Sequence, residues 1–404
     1  MSLVGSRPLR LRLAERKWFF VILFVMLLFP FVLPSLYWLS IIIYILSVAL
    51  FALSYDIMLG QTGILSFGHA ACLGLGGYAV YWVISSGLPF ALAILASVLL
   101  GALVNVAMGI SLFRVKGVYF AMFTLAFAEV IHLFLGNQVG LTGGATGVPS
   151  PRPEFVSDPA IMLIFVGLFV AIAAVMCYVV VSSYVKRGEL VKGTLGLVLL
   201  FALAIFGVYN SITTVLPSLQ RPIVAFTINA YLISLFILFA SYYLVSRLSR
   251  SSLGSILIAI RENEERTRML GYNTAMYKLI SLAISGLFAG LAGAMFVSFA
   301  TFITTPDILG STYTLDVLLY NILGGIGTFV GPIIGAFIIE FLHFNIGYLS
   351  GAIGLPALSN WWMLIIGVFY ILVVLFIPYG IVGTLVSRGQ DIRRVLRRLL
   401  GLEK

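Results

Sequence analysis

This sequence predicts an all-α, polytopic membrane helix bundle, with about ten crossings plus one re-entrant or half-helix segment. Three observations carry that prediction. Apolar residues make up 61% of the 404-residue chain and charged residues 9%, whereas soluble domains carry about 25% charged residues; a polar shell cannot be built. Several apolar runs approach the roughly 20 residues that cross about 30 Å of hydrocarbon as helix. Of the 24 Lys and Arg, 22 fall at span ends on one side, which is the bias that sets membrane orientation. No series of alternating strands, each roughly ten residues long as in a membrane barrel, is visible.

Taken in order, residues 1–17 hold five Lys and Arg ahead of an apolar run from Trp18 to Leu33. That run lacks an Ala-x-Ala cleavage pattern and is followed at once by another span, so it reads as an uncleaved first helix at 18–34. Further spans are expected at 38–58, 64–84, 89–112, 118–136, 160–184, 194–215, 223–245, 276–300 and 361–378. With the N-terminus in the cytoplasm, 113–117, 185–193, 246–278 and the tail 388–404 lie inside, while only Arg152 and Arg221 lie outside. Three parts follow: a basic segment 1–17, a transmembrane domain 18–380 and a basic tail 381–404. In the tail Ile392, Val395, Leu396, Leu399 and Leu400 face away from Arg393, Arg394, Arg397 and Arg398, the pattern of an amphipathic helix on the inner leaflet. The longest external loop, Asn137 to Pro159, is rich in Gly, Pro and Ser, which excludes a helix there.

Parity constrains 313–345. Residues 301–312 are expected outside and the last span must run inward, so this segment enters and leaves on one face. Its 33 residues reach about 50 Å as helix, short of the ~60 Å that two crossings need. Gly324, Gly325, Gly327, Gly331 and Pro332 mark the break. Irregular backbone at that depth survives only against protein or water. Leu59-Gly60-Gln61-Thr62-Gly63 with Gly68-His69 echoes it, and paired Gly-interrupted segments point to a midplane binding site. Gln61, Gly63, Ser66, His69, Gly324, Gly325 and Gly327 are therefore pathway candidates; close helix packing is the competing explanation for the glycines.

Ionisable groups within spans are few. Glu129 with His132 and Glu340 with His343 repeat one Glu-x-x-His spacing. A di-iron bundle uses two such pairs plus two further glutamates, which the other spans lack, so each pair reads as a local hydrogen bond. His69 reads as a packing partner before a proton relay, and Asp56 as a cap or a partner for a basic loop. Cys72 and Cys177 sit inside spans and read as buried thiols. Nothing suggests a metal, a cofactor or catalysis, and the short basic loops fit topology better than a nucleic-acid track. No GxxxxGK[ST] occurs, so any ATPase must be a separate chain.

Charge concentrates in one loop, 246–275. Leu253, Ile256, Leu257 and Ile260 recur at helical spacing, then Arg261, Glu262, Glu264, Glu265, Arg266 and Arg268 form a polar run, and Gly271 supplies a stop. A surface helix tied at both ends to spans can transmit force. Its alternative is a salt-bridged linker.

This loop resembles the EAA-type loop of permeases in ATP-binding-cassette importers: Glu265-Arg266-Thr267 precedes Gly271 at the family's spacing, though the two alanines are absent. Agreement is closer with the branched-chain amino acid permeases of the LivM type, through GQTGILSFGHAACLGLGGY (60–78), GVYFAMFTLAFAEV (117–130), LTGGATGVP (141–149), AIRENEERTRMLGYN (259–273) and LGGIGTFVGPIIGA (323–336). The resemblance implies a non-enzymatic subunit in a prokaryotic inner membrane, with both termini cytoplasmic. Its implied partners are a LivH-like permease, two cassette ATPases and an external substrate-binding protein. It also implies ATPase coupling through Leu253, Leu257, Arg261, Glu264, Glu265 and Gly271, and cargo of branched-chain amino acids, other amino acids or urea. Segment 185–222 matches poorly and is left without a role. The rival is an ion-coupled secondary transporter, which would need a site among Glu129, His132, Glu340 and His343 and leaves the loop unexplained.

Overall fold

Long apolar runs with little Pro form helices because no backbone group can be left unpaired in hydrocarbon. A computed structural model describes residues 35–111, 115, 117–153, 156, 222–352, 361–376 and 380–384. The expected spans 18–34, 160–184 and 194–215, the segments 1–17 and 185–221, and the tail beyond 384 lie outside the described residues. Within them the protein is a helix bundle, and five helices are long and apolar enough to cross a membrane. Thirteen helices follow in chain order: α1 Leu36–Asp56, α2 His69–Ser85, α3 Phe90–Ile110, α4 Val118–Asn137, α5 Val139–Thr142, α6 Pro222–Ser249, α7 Ser252–Glu262, α8 Glu264–Met269, α9 Thr274–Phe299, α10 Thr305–Leu309, α11 Ser311–Gly324, α12 Val330–Ala352 and α13 Trp362–Phe376.

The chain divides into two units, residues 1–43 with 152–237 and residues 44–151 with 238–404. In the first, Asn229 donates to the Val156 carbonyl at 2.7 Å and the Arg152 guanidinium lies over the Phe226 ring at 5.6 Å.

In the second unit α2, α3 and α9 pack together through small residues. A Cβ on Gly290 would sit 2.3 Å from the Ser97 carbonyl oxygen, so the backbones of α3 and α9 are nearly in contact. Polar bonds reinforce that contact. Ser97 Oγ donates to the Gly290 carbonyl at 2.7 Å and Asn105 Nδ2 to the Leu282 carbonyl at 2.8 Å. Without a hydrophobic difference between lipid and helix, this close packing with interhelical hydrogen bonds is what holds such helices together.

Three expectations are modified. The span placed at 64–84 starts as helix only at His69, because α1 runs on through a π-turn at Ile57–Gln61 and 63–68 is irregular. The external loop does contain helix: α5, capped by Gly143 at φ 72, and a 3-10 turn at Gly144–Thr146. Two-residue strands β1 (Val148–Pro149) and β2 (Phe302–Ile303) pair antiparallel and tie this loop to the chain beyond α9. Lastly, the broken segment is unequal. The 14 residues of α11 and 23 of α12 make a half-helix of about 21 Å and a full-length helix of about 34 Å. The chain reaches α11 through α10, which packs on α2 and α4 with Thr305, Ile308 and Leu309 buried.

Candidate functional site

The two Gly-rich breaks meet. Gly60, in the π-turn that ends α1, lies so near the α11–α12 turn that a Cβ there would be 2.8 Å from Gly327 Cα. Asp56, fully buried one turn earlier, accepts from Gly327 N at 2.7 Å through Oδ1 and from Phe329 N at 3.0 Å through Oδ2. Two charge-assisted bonds thus hold a turn in which Gly325, Gly327 and Phe329 all have positive φ, 113°, 79° and 59°. Phe329 is the one described non-Gly residue in that region, a conformation that persists where the surroundings over-determine it.

Arg261 joins the same spot from the charged loop. On the last turn of α7, it donates to the Gly60 carbonyl. Its stem crosses Gly63, where a Cβ would come within 2.9 Å of Arg261 Cγ, and its guanidinium lies 3.2 Å from the same construction on Gly327. Gln61 Oε1 accepts from Ser249 Oγ at 3.2 Å, so the end of α6 is tied in as well. Gln61, Gly63, Gly327 and Arg261 are brought together, with buried Gly324 and Gly325 at the same turn.

Ser66 and His69 lie elsewhere, and both are buried. The Ser66 carbonyl accepts from Tyr55 Oη at 2.8 Å. His69 stacks on Phe51 with centroids 5.0 Å apart and shares a 2.9 Å hydrogen bond with Ser54 Oγ. That environment is a packed aromatic sandwich.

The charged loop is two helices where one was expected. Asn263 is extended at φ −159° and its side chain accepts from Arg266 N at 2.9 Å, so it ends α7 and caps α8. Leu257 and Ile260 are buried, Leu253 half-buried; this stripe packs the loop inward. Glu264 also turns inward, paired with Lys278 of α9 at 2.7 Å and Arg268 at 3.4 Å. Glu265 is exposed, and Gly271 adopts φ 92° at the loop's end. Beside it Met269 and Leu270 are 86% and 71% exposed, two large apolar side chains offered to the surroundings of a polar loop. Sequence reasoning passed over this pair, although Met-Leu before Gly in a charged run was a readable signal. It also gave Asp56 no partner in the glycine turn, because no local pattern encodes a contact 271 residues away.

Of the two Glu-x-x-His pairs, Glu129–His132 is the local hydrogen bond expected, whereas Glu340 takes its hydrogen bond from Tyr320 and meets His343 only as an ion-pair contact. His132 Nδ1 lies 3.2 Å from Glu129, and His343 Nδ1 lies 3.4 Å from Glu340.

Residues 37–181 and 154–374 match the family described as branched-chain amino acid transport system / permease component. The chain belongs to that family. The match covers 185–222, the stretch whose motifs alone gave no assignment. Among its relatives, the high-affinity branched-chain amino acid transport system permease protein LivM of Escherichia coli (strain K12) is 26% identical over 71% of the chain. The probable branched-chain amino acid transport permease protein LivM of Methanocaldococcus jannaschii is 24% identical over 63% of the chain and 79% of its own length. A ribose import permease protein, RbsC of E. coli (strain K12), is 30% identical over 34% of the chain and 41% of its own length. The chain spans 58% of the length of the E. coli LivM relative. No solved structure matches it significantly.

Proposed function

We propose that this protein is a translocating permease subunit of an ATP-driven importer for branched-chain or related amino acids. Its charged loop faces the cytoplasm and receives force from a separate ATPase. The termini are cytoplasmic, by the same 22-to-2 distribution of basic residues. A second permease, two ATPases and an external binding protein complete the machine.

One observation carries this reading: the charged loop is hydrogen-bonded to the first glycine break, and Asp56 beside that break bonds the second. A push on the exposed Met269–Leu270 tip passes through α8, which Glu264 and Lys278 pin to α9, and through Arg261 to Gly60. From Gly60 it reaches the α11–α12 turn that Asp56 grips. Rigid contacts of this kind couple a surface event to a distant segment. No covalent chemistry is required of this chain.

The test replaces Met269 and Leu270 together by Glu, in the complex reconstituted with its partner subunits in liposomes. Both side chains are exposed, so the fold should tolerate the change. ATPase retention and ATP-driven leucine uptake should both collapse. Wild-type retention and uptake by the double variant would remove the loop from the coupling route, and leucine uptake by the chain alone under an ion gradient would replace the importer reading.

A further inference from the structure

Away from the coupling joint, four helices bring acidic and aromatic side chains to one place. Asp316 of α11 stands one turn before Tyr320, whose hydroxyl bonds Glu340 of α12, and His343 lies one turn beyond Glu340. Glu340 is 4% exposed, and its Oε1 accepts from Tyr320 Oη at 2.5 Å. Its Oε2 is buried without a hydrogen bond, although the His343 ring lies 3.4 Å away. Around them, the Tyr44 ring of α1 lies 5.4 Å from Phe344 and 5.6 Å from Phe296 of α9, and Phe296 lies 6.2 Å from Tyr313.

Two carboxylates and one imidazole on membrane helices are costly against lipid tails, so the face that bears them belongs against water or protein. His343 and Phe344 are partly open there, with 40% of the His343 side chain exposed, and Asp316 and Tyr313 are half-buried. A protonated His343 neutralises one carboxylate at most. That leaves a carboxylate for a further cation. Aromatic faces within about 6 Å of a cation attract it, and buried carboxylates bind it by charge-assisted hydrogen bonds.

We propose that Asp316 and Glu340, ringed by Tyr44, Phe296, Tyr313 and Phe344, form a station for a primary ammonium group, the cationic end of an amino acid in transit. This rests on the importer reading and adds a cargo contact to it. The station stands roughly 14–18 Å along α11 from the glycine turn, so cargo and motor act on opposite ends of one half-helix.

The experiment uses the complete complex in liposomes, with radiolabelled leucine as probe. Glu340→Gln keeps an acceptor for Tyr320 and removes charge, and Asp316→Asn does the same for its partner. In the double variant, leucine uptake should fall about tenfold or more, while hydrolysis stimulated by the loaded binding protein stays within about twofold. Tyr320→Phe, which leaves both carboxylates in place, should cost far less uptake. An active wild-type complex whose double variant still takes up leucine normally would overturn the station alone, as would an equal loss in Tyr320→Phe. ATP-independent or absent uptake by the wild-type complex would instead remove the importer reading and this station with it. Should the double variant fail to assemble, Asp316→Asn alone is read on the same scale, because it leaves the Tyr320–Glu340 bond intact.

Discussion

Asp56 shows what one buried carboxylate can do at the end of an apolar helix. It receives two backbone N–H groups from a turn that would otherwise leave them unpaired, and bonds to a charged acceptor contribute about 1.5–3 kcal/mol each. Asp56→Ala is therefore expected to destabilise the turn by about 3 kcal/mol or more, lowering the detergent melting temperature and uncoupling ATP hydrolysis from uptake. Asn should recover part of the loss, because its single carbonyl can accept one of the two bonds. Gly60→Ala tests the same joint from the other side. Its Cβ would overlap Asp56 Oδ1 at 2.2 Å, so uptake should fall sharply while expression persists. The glycine runs were legible as breaks from the sequence, and so was their pairing as an echo. That they touch was not legible, since a glycine announces freedom of its own backbone and says nothing about what comes near.

At the scale of elements, the amphipathic stripe from Leu253 to Ile260 identified α7 correctly. The division at Asn263 was also written in the chain, as a capping residue followed by two glutamates, but a continuous charged run masked it. Asn263→Ala should cost about 1 kcal/mol of α8 stability, seen as faster amide exchange over 264–269 with α7 unchanged. Alanine at Gly271 meets no atom within 4 Å, so it reports backbone strain alone and should cost about 1 kcal/mol. The half-helix α11 was foreseen from parity and length. The full extent of α12 was not, because Gly331 and Pro332 look like interruptions but stand in its first turn, where the missing Pro N–H is harmless.

Across the molecule, hydropathy located the spans because lipid permits so few backbone solutions. It could not show which faces meet. α3 exposes Leu92, Leu95, Leu99 and Leu103 while its small residues turn toward α9, the reverse of a soluble helix, so apolar periodicity carries no inward direction here. Gly290→Leu should force α3 and α9 apart at a cost of about 3 kcal/mol or more, read as loss of folded protein after detergent extraction. The same size of side chain at Gly87, where no atom lies within 4 Å of a Cβ, should leave folding nearly intact despite its φ of 76°.

The β1–β2 ribbon has an effect on permitted motion. It fastens the loop that follows α4 to the segment leading into α10, and Ser150 adds a bond from its N–H to the Thr301 carbonyl at 3.2 Å. Whatever swings at the glycine turn, this far end is hemmed, so the half-helix would pivot like a clapper hung from a stitched seam and could not slide bodily along its own axis.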